Sequence, residues 1–218
     1  MSITIFLADD HTVVRDGLRL ILETQSDLIV VGQAANGREA VQQVVKQHPD
    51  VVIMDITMPD LNGIEATQQI HEYCPESHVI ILSMHASSKH VFRALQAGAE
   101  GYLLKGSASS EVIQAVRTVH SGRRYLSQKI SELLNEEVLR SLTATNEVED
   151  PLARLSPRER EVLQLVVEGR SSAEIAEMLH LSPKTVDTYR YRVMQKLNLS
   201  DLPSLVKFAI QHGLTPLE

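Results

Sequence analysis

The sequence predicts an α/β domain built on a doubly wound, five-stranded parallel sheet, followed by a small all-α domain of four helices. Three observations carry that expectation. The first 122 residues alternate short, β-branched-rich apolar runs with amphipathic stretches. From Ser156 onward the pattern is helical throughout and punctuated by capping residues. Between the two lies a more polar stretch that ends in the acidic run Thr143–Asp150 and is then interrupted by Pro151. The expected boundaries are therefore 1–122 for the first domain, 123–150 for a linker with room for one helical segment at Ser131–Leu142, and 151–218 for the second domain.

The runs Ile3–Ala8, Leu28–Ala34, Val51–Met54, Val79–Leu82 and Gly101–Leu104 are nearly continuous in apolar character. Strands buried on both faces read that way. Helical spacing fills the intervals near 12–24, 36–47, 62–73, 87–97 and 109–121. In the first of these, Val13, Val14, Leu18, Ile21 and Leu22 make one apolar stripe. Five β–α repeats imply parallel strands joined by right-handed crossovers, with helices on both faces.

In the second domain, Ser156, Pro157 and Glu159 suit an N-cap, an N1 proline and a capping box, and Gly169 ends that helix. A second helix over Ser172–Leu179 buries Ala173, Ile175, Ala176 and Leu179. The turn His180-Leu181-Ser182 leads into a third, Pro183–Leu197, and a fourth spans Leu202–His212 before Gly213. The close pair is spaced as a helix-turn-helix, whose second helix enters the major groove of DNA. On that helix Val186, Tyr189, Val193 and Leu197 form a row that packs inward. Lys184, Thr185, Asp187, Thr188, Tyr191 and Arg192 point outward.

Composition fits this division. A length of 218 residues accommodates two small domains, and 43% hydrophobic residues support real cores. A single cysteine, Cys74, excludes an intramolecular disulfide and suits a reducing compartment. No signal-peptide pattern opens the chain, and no run of about 18 apolar residues occurs, so the reading is a cytoplasmic protein with no membrane partner. The net charge of −7 is unevenly spread: residues 1–150 hold 12 Lys/Arg against 20 Asp/Glu, and residues 151–218 hold 9 against 8. The nucleic-acid half is thus relieved of the acidic excess.

Ligands of open α/β sheets bind outside the carboxyl ends of the strands. There the sequence places Asp9 and Asp10 after strand 1, Asp55 after strand 3, Ser83 after strand 4 and Lys105 after strand 5. Clustered carboxylates raise one another's pKa unless a cation compensates, and Mg²⁺ is a hard ion that suits oxygen donors. A carboxylate can also serve as the nucleophile that forms an aspartyl phosphate, with Lys105 and the metal neutralising phosphoryl oxygens. Acidic residues at single strand ends are often only solvated loop residues. The full set at successive strand ends is what distinguishes this chain.

Asp9-Asp10-His11, Met54-Asp55-Ile56-Thr57-Met58-Pro59 with Gly63, Ser83, Gly98-Ala99-Glu100-Gly101-Tyr102, and Lys105 resemble the CheY-like receiver domain over about residues 3–122. The resemblance implies a flavodoxin-like strand order, 2-1-3-4-5. It makes Asp55 the phosphoacceptor and assigns Mg²⁺ to Asp9, Asp10, Asp55 and the backbone carbonyl of Thr57. Lys105 pairs with the phosphoryl group, Ser83 hydrogen-bonds it, and Tyr102 is the aromatic switch. Gly106 follows the lysine where many receivers carry Pro or Asp. Residues 152–213, through Leu155-Ser-Pro-Arg-Glu-Arg-Glu-Val-Leu163, Gly169, Ile175-Ala176 and Leu181-Ser-Pro-Lys-Thr-Val186, resemble the LuxR-type output domain of the NarL/FixJ response regulators. The motifs are closest to the GacA/UvrY branch. That resemblance implies base-proximal positions for Lys184, Thr185, Asp187 and Thr188, with Arg190 and Arg192 as further candidate DNA contacts. It also implies a sensor histidine kinase or phosphotransfer domain as donor, double-stranded DNA as target, and a homodimer after phosphorylation, to which the final helix contributes. Several relatives carry Lys where Asp187 stands.

His71, Cys74 and His78 have a spacing that invites a metal reading. Pro75 interrupts them, and a zinc site usually has a fuller ligand set, so they are read as non-ligands. Two other function classes stay open: a module whose receiver regulates without phosphate, and an enzyme transferring phosphoryl groups to external substrates. The complete Asp9/Asp10/Asp55/Lys105 set argues against the first. The absence of a nucleotide-binding glycine loop argues against the second.

Overall fold

The computed structural model describes residues 2–84, 86–143 (136–143 as backbone only) and 150–214. Most of the acidic stretch expected over Thr143–Asp150, positions 144–149, lies outside the described residues. The chain forms two compact units, the first drawn from residues 1–58 and 63–147, the second chiefly from 148–218.

In the first unit the elements are β1 (Ile3–Ala8), α1 (Thr12–Glu23), β2 (Leu28–Ala34), α2 (Gly37–Gln47), β3 (Val51–Asp55) and α3 (Gly63–Tyr73). They continue with β4 (His78–Ser83), α4 (Ser88–Gln96), β5 (Gly101–Leu104), α5 (Ser109–His120), β6 (Tyr125–Leu126) and α6 (Gln128–Thr143). All strand pairs are parallel, in the order β2-β1-β3-β4-β5-β6. The five expected strands stand in the expected order. The sixth was not legible: two residues are too few to show a period, and β6 is fixed by tertiary pairing. Tyr125 N–H donates to the Glu100 carbonyl at 2.9 Å and Ser127 N–H to that of Tyr102 at 3.1 Å. The following helix accordingly starts at Gln128, ahead of the expected Ser131.

Alternating strand residues face opposite layers. Ile5, Leu7, Ile53, Ile80, Leu82 and Leu103 join Leu18 and Leu22 of α1 and Val112, Ala115, Val116 and Val119 of α5 in one core. The other residues of the same strands, among them Phe6, Val52, Met54 and Ile81, are equally buried. On α1 the apolar stripe is narrower than expected. Leu18 and Leu22 are buried and Val14 and Ile21 half-buried, but Val13 is 85% exposed. One residue is about 100° of helical rotation, and that step takes Val13 off the face that Val14 shares with Leu18.

The second unit opens with a 3₁₀ turn, Pro151–Arg154, followed by α7 (Pro157–Val167), α8 (Ser172–Leu179), α9 (Pro183–Leu197) and α10 (Leu202–Gln211). The start of α7 is the expected capping box, with Pro157 in its first turn. Ser171 and Glu174 form a second such box on α8. His180 ends α8 in the left-handed conformation (φ 52), and Leu181 N–H returns to the Ala176 carbonyl at 2.8 Å, which turns the chain into α9. Val162, Leu163, Leu165 and Val166 of α7 meet Ile175, Ala176 and Leu179 of α8, Val186 and Val193 of α9, and Leu205 and Ala209 of α10 in one core. Ala173 differs from expectation. It is exposed, lying about 200° around the helix from Ile175. Among the described residues no helix is long and apolar enough to cross a membrane.

Candidate functional site

Parallel pairing of β1, β3, β4 and β5 brings their carboxyl ends to one edge, and the polar residues at or just past those ends meet there. Asp9 and Asp55 are buried and Asp10 is half-buried. Lys105 Nζ lies 2.7 Å from Asp9 Oδ2 and 2.8 Å from Asp55 Oδ2, bridging the two acids. Its own position is fixed by Lys105 N–H donating to the Ser83 carbonyl at 2.9 Å, which continues the β4–β5 ladder. His11 N–H donates to Asp9 Oδ1 at 2.9 Å, and Arg15 Nη1 to the Asp9 backbone carbonyl at 2.5 Å.

Burial pushes the Asp55 carboxyl up to about 6, against the opposing pull of Lys105 and with added repulsion from Asp9 and Asp10. Burial also works against the Lys105 ammonium, but its two carboxylate partners outweigh this and raise its pKa. The carboxylate atoms of Asp9, Asp10 and Asp55, together with His11, can all lie within 4.8 Å of one another. Asp9 Oδ2 and Asp10 Oδ1 are buried yet make no hydrogen bond of good geometry, although Lys105 Nζ is 2.7 Å from the first and His11 Nδ1 2.6 Å from the second. Carboxylate oxygens of three acids grouped this closely fit a hard divalent cation with oxygen ligands. Thr57 follows in the loop after β3 and is half-buried.

That loop depends on one glycine. Gly63 N–H donates to the Ile56 carbonyl at 2.8 Å, and a methyl group at Gly63 would overlap the Asp55 carbonyl oxygen. On the neighbouring strands Ser83 is buried, and Tyr102 is fully buried with its hydroxyl hydrogen-bonded to the Ser83 side chain. Burial first, and then the Asp55 charge, raise the Tyr102 phenol to about 12 despite that bond. Gly106, beyond Lys105, is exposed with open space around it, and all peptide bonds among the described residues are trans.

In the second unit α9 presents the expected two faces. Val186 and Val193 are buried, with Tyr189 and Leu197 packed beside them. Lys184, Asp187, Thr188, Tyr191 and Arg192 are exposed, whereas Thr185 and Arg190 are half-buried. Thr185 N–H donates to Ser182 Oγ at 3.1 Å as part of the helix cap. Ser172, at the start of α8, ties two of these residues together. Its hydroxyl donates to Asp187 Oδ1 at 2.7 Å and accepts from Arg190 Nη1 at 3.1 Å. Sequence reasoning missed this link, since no local pattern relates residues fifteen and eighteen apart. It also missed the ion pair from Lys196 Nζ of α9 to the buried Glu159 of α7, at 2.7 Å. Burial alone would raise the Glu159 carboxyl, but Lys196 and the Ser156 cap hold it below its ordinary value.

A doubly wound sheet with a lysine-bridged acidic pocket at its carboxyl edge, in one chain with a four-helix helix-turn-helix unit, defines the class: a DNA-binding response regulator. Comparison with known proteins makes this specific. Residues 5–117 match the response regulator receiver domain, and residues 153–209 match the bacterial regulatory proteins of the luxR family. The chain is 43% identical over 212 residues to the oxygen regulatory protein NreC of Staphylococcus carnosus, covering 96% of this chain and 98% of that protein. It is 40% identical over 216 residues to the response regulator UvrY of Escherichia coli, covering 99% and 97%. Among solved structures it resembles the RcsB–DNA complex, with a TM-score of 0.58 and 27% identity over 95% of this chain and 98% of that one. The chain belongs to the NarL/FixJ family of two-component response regulators, which join a receiver to a LuxR-type DNA-binding domain.

Proposed function

We propose that this regulator is switched by phosphorylation of Asp55, with residues 1–122 as receiver, 123–150 as linker and 151–218 as output domain. The observation that carries the reading is the buried Asp55 carboxylate, bridged by Lys105 to Asp9 and grouped with the Asp9 and Asp10 carboxylates within 4.8 Å. A sensor histidine kinase or phosphotransfer domain supplies the phosphoryl group. An ionised Asp55 oxygen attacks the phosphorus of phosphohistidine, the P–N bond breaks, and the departing imidazole takes a proton from solvent. Asp9, Asp10, Asp55 and the Thr57 carbonyl would hold Mg²⁺, which supplies charge neutralisation for the phosphoryl oxygens.

Lys105 then shifts from pairing two carboxylates to pairing the phosphoryl group. Ser83 turns to the same group, giving up its bond to Tyr102, so the phosphate competes directly for the hydroxyl that holds the aromatic switch. The chain turns over no external substrate, and slow hydrolysis of its own aspartyl phosphate resets it. Lys184, Thr185, Thr188, Arg190 and Arg192 approach DNA, with Asp187 restrained by Ser172. Leu202, Val206 and Ile210 leave an apolar strip along α10, which supports a role for that helix in a homodimer on paired half-sites. Such a regulator works in the cytoplasm, beside its DNA.

The direct test incubates the full chain with a small phosphodonor and Mg²⁺. The wild type gains one acid-stable, base-labile phosphoryl group and Asp55→Asn gains none. Normal labelling of Asp55→Asn overturns the assignment.

A further inference from the structure

The amino-terminal edge of the receiver sheet, at the opposite end of β3 from Asp55, gathers a second set of metal-binding side chains. His48 closes α2 in the left-handed conformation (φ 48), its N–H bonded to the Val44 carbonyl at 2.8 Å. Cys74, Glu76 and Ser77 lie in the connection between α3 and β4. Backbone ties hold the two segments side by side: Ser77 Oγ donates to the Pro49 carbonyl at 2.6 Å, and His78 N–H to the Asp50 carbonyl at 3.0 Å. His48 Nδ1 therefore stands 2.7 Å from Glu76 Oε1 and 3.3 Å from Cys74 Sγ. The three ligand atoms lie within 4.8 Å of one another. Cys74 is buried, while the His48 and Glu76 side chains are 55% and 57% exposed, so a soft donor sits beneath an accessible rim. His71 and His78, whose spacing in the sequence invited a metal reading with Cys74, are not in this group. His78 pairs with Glu100 at 2.8 Å, and His71 lies beside Gly98.

We propose that His48, Cys74 and Glu76 form a binding site for a borderline divalent cation of the Zn²⁺ type. Tetrahedral Zn²⁺ takes sulfur at about 2.3 Å and imidazole nitrogen at about 2.0–2.1 Å, which places S and N about 3.6 Å apart. The observed 3.3 Å is within a few tenths of that. The nitrogen–oxygen distance of 2.7 Å has to open by about 0.7 Å, an adjustment available to two side chains that are mostly in solvent. Water or Ser77 Oγ, 3.2 Å from Cys74 Sγ, completes the shell. A thiolate in the set selects softer ions than the all-carboxylate pocket around Asp55. Burial pushes the Cys74 thiol up, so the metal-free thiol is protonated at neutral pH. Metal binding replaces that proton, which leaves to solvent, while Nδ1 of a neutral His48 and the Glu76 carboxylate donate lone pairs.

The test uses the full chain, stripped of metal and kept in a non-thiol reductant, titrated with Co²⁺ and followed by absorbance. Cys74 is the only cysteine, so a thiolate-to-cobalt charge-transfer band reports this site and no other. The expected result is one equivalent of that band, displaced by Zn²⁺ and missing in Cys74→Ser. Removing even an outer-shell partner weakens metal binding about 10–100-fold. His48→Gln and Glu76→Gln should therefore each lose at least that much affinity while keeping Mg²⁺-dependent labelling by a small phosphodonor. A wild-type chain without the band overturns the proposal, as does a band of undiminished affinity in the His48→Gln/Glu76→Gln double variant.

Discussion

Replacing Asp55 with Asn should stabilise the metal-free protein at pH 7 even though it destroys the proposed phosphorylation site. The carboxyl has an ordinary value of 3.8 and a folded value of about 6, a difference worth about 3 kcal/mol. Because the folded value is the higher one, the native state binds the extra proton between those two pH values. Stability therefore falls as pH rises through that window, and the penalty is complete above about pH 6. Asn removes the charge that burial opposes. Lys105 loses one carboxylate but keeps Asp9 at 2.7 Å, so the net gain is expected at about 1–3 kcal/mol. Urea unfolding of the full chain in chelator reads this out, taking the transition that Mg²⁺ shifts as that of the receiver. The advantage of Asp55→Asn should shrink as pH falls from 7 towards 4. Added Mg²⁺ should favour the wild type, through binding to its folded state. A variant no more stable than wild type at pH 7, or one whose advantage grows on acidification, would refute the reasoning.

Other substitutions probe the remaining parts. Lys105→Met leaves Asp9 and Asp55 facing each other without their cation; phosphodonor labelling should be lost and unfolding should show a destabilisation of up to about 3–5 kcal/mol. Gly63→Ala pushes the Asp55 carbonyl out of place and should slow labelling strongly, while Gly106→Ala, with open space around it, should label at the wild-type rate. Lys184→Ala on the exposed start of α9 should weaken DNA binding and reduce the slope of log affinity against log salt by about 1, measured by fluorescence anisotropy.

Much of the fold is legible in the sequence because local signals and tertiary needs agree. Four buried strands announce themselves as apolar runs, as does edge strand β2, although its Ile29 and Val31 are exposed rather than covered as expected. Ser156, Pro157 and Glu159 mark the start of α7 by a capping geometry that depends on four consecutive residues. The acidic pocket is legible for a topological reason: parallel strands put Asp9, Asp55, Ser83 and Lys105 at one edge whatever the details of packing. What escapes is set by contacts between distant residues. β6 exists only because Glu100 and Tyr102 offer carbonyls to Tyr125 and Ser127. His48 meets Cys74 across 26 positions, and Ser172 of α8 meets Asp187 of α9 across 15. Val13 and Ala173 fail for a different reason, since an apolar residue one helical step off the stripe reads the same in sequence and faces water in the fold.

Phosphorylation of one buried carboxylate, Asp55, is proposed to govern DNA occupancy by the output domain. Genome-wide mapping of bound DNA sites for wild type and Asp55→Ala at matched protein levels tests it most directly, under a condition in which the wild type is phosphorylated. Occupancy at the strongest wild-type sites should collapse in Asp55→Ala; identical occupancy in the two strains would contradict phosphate gating.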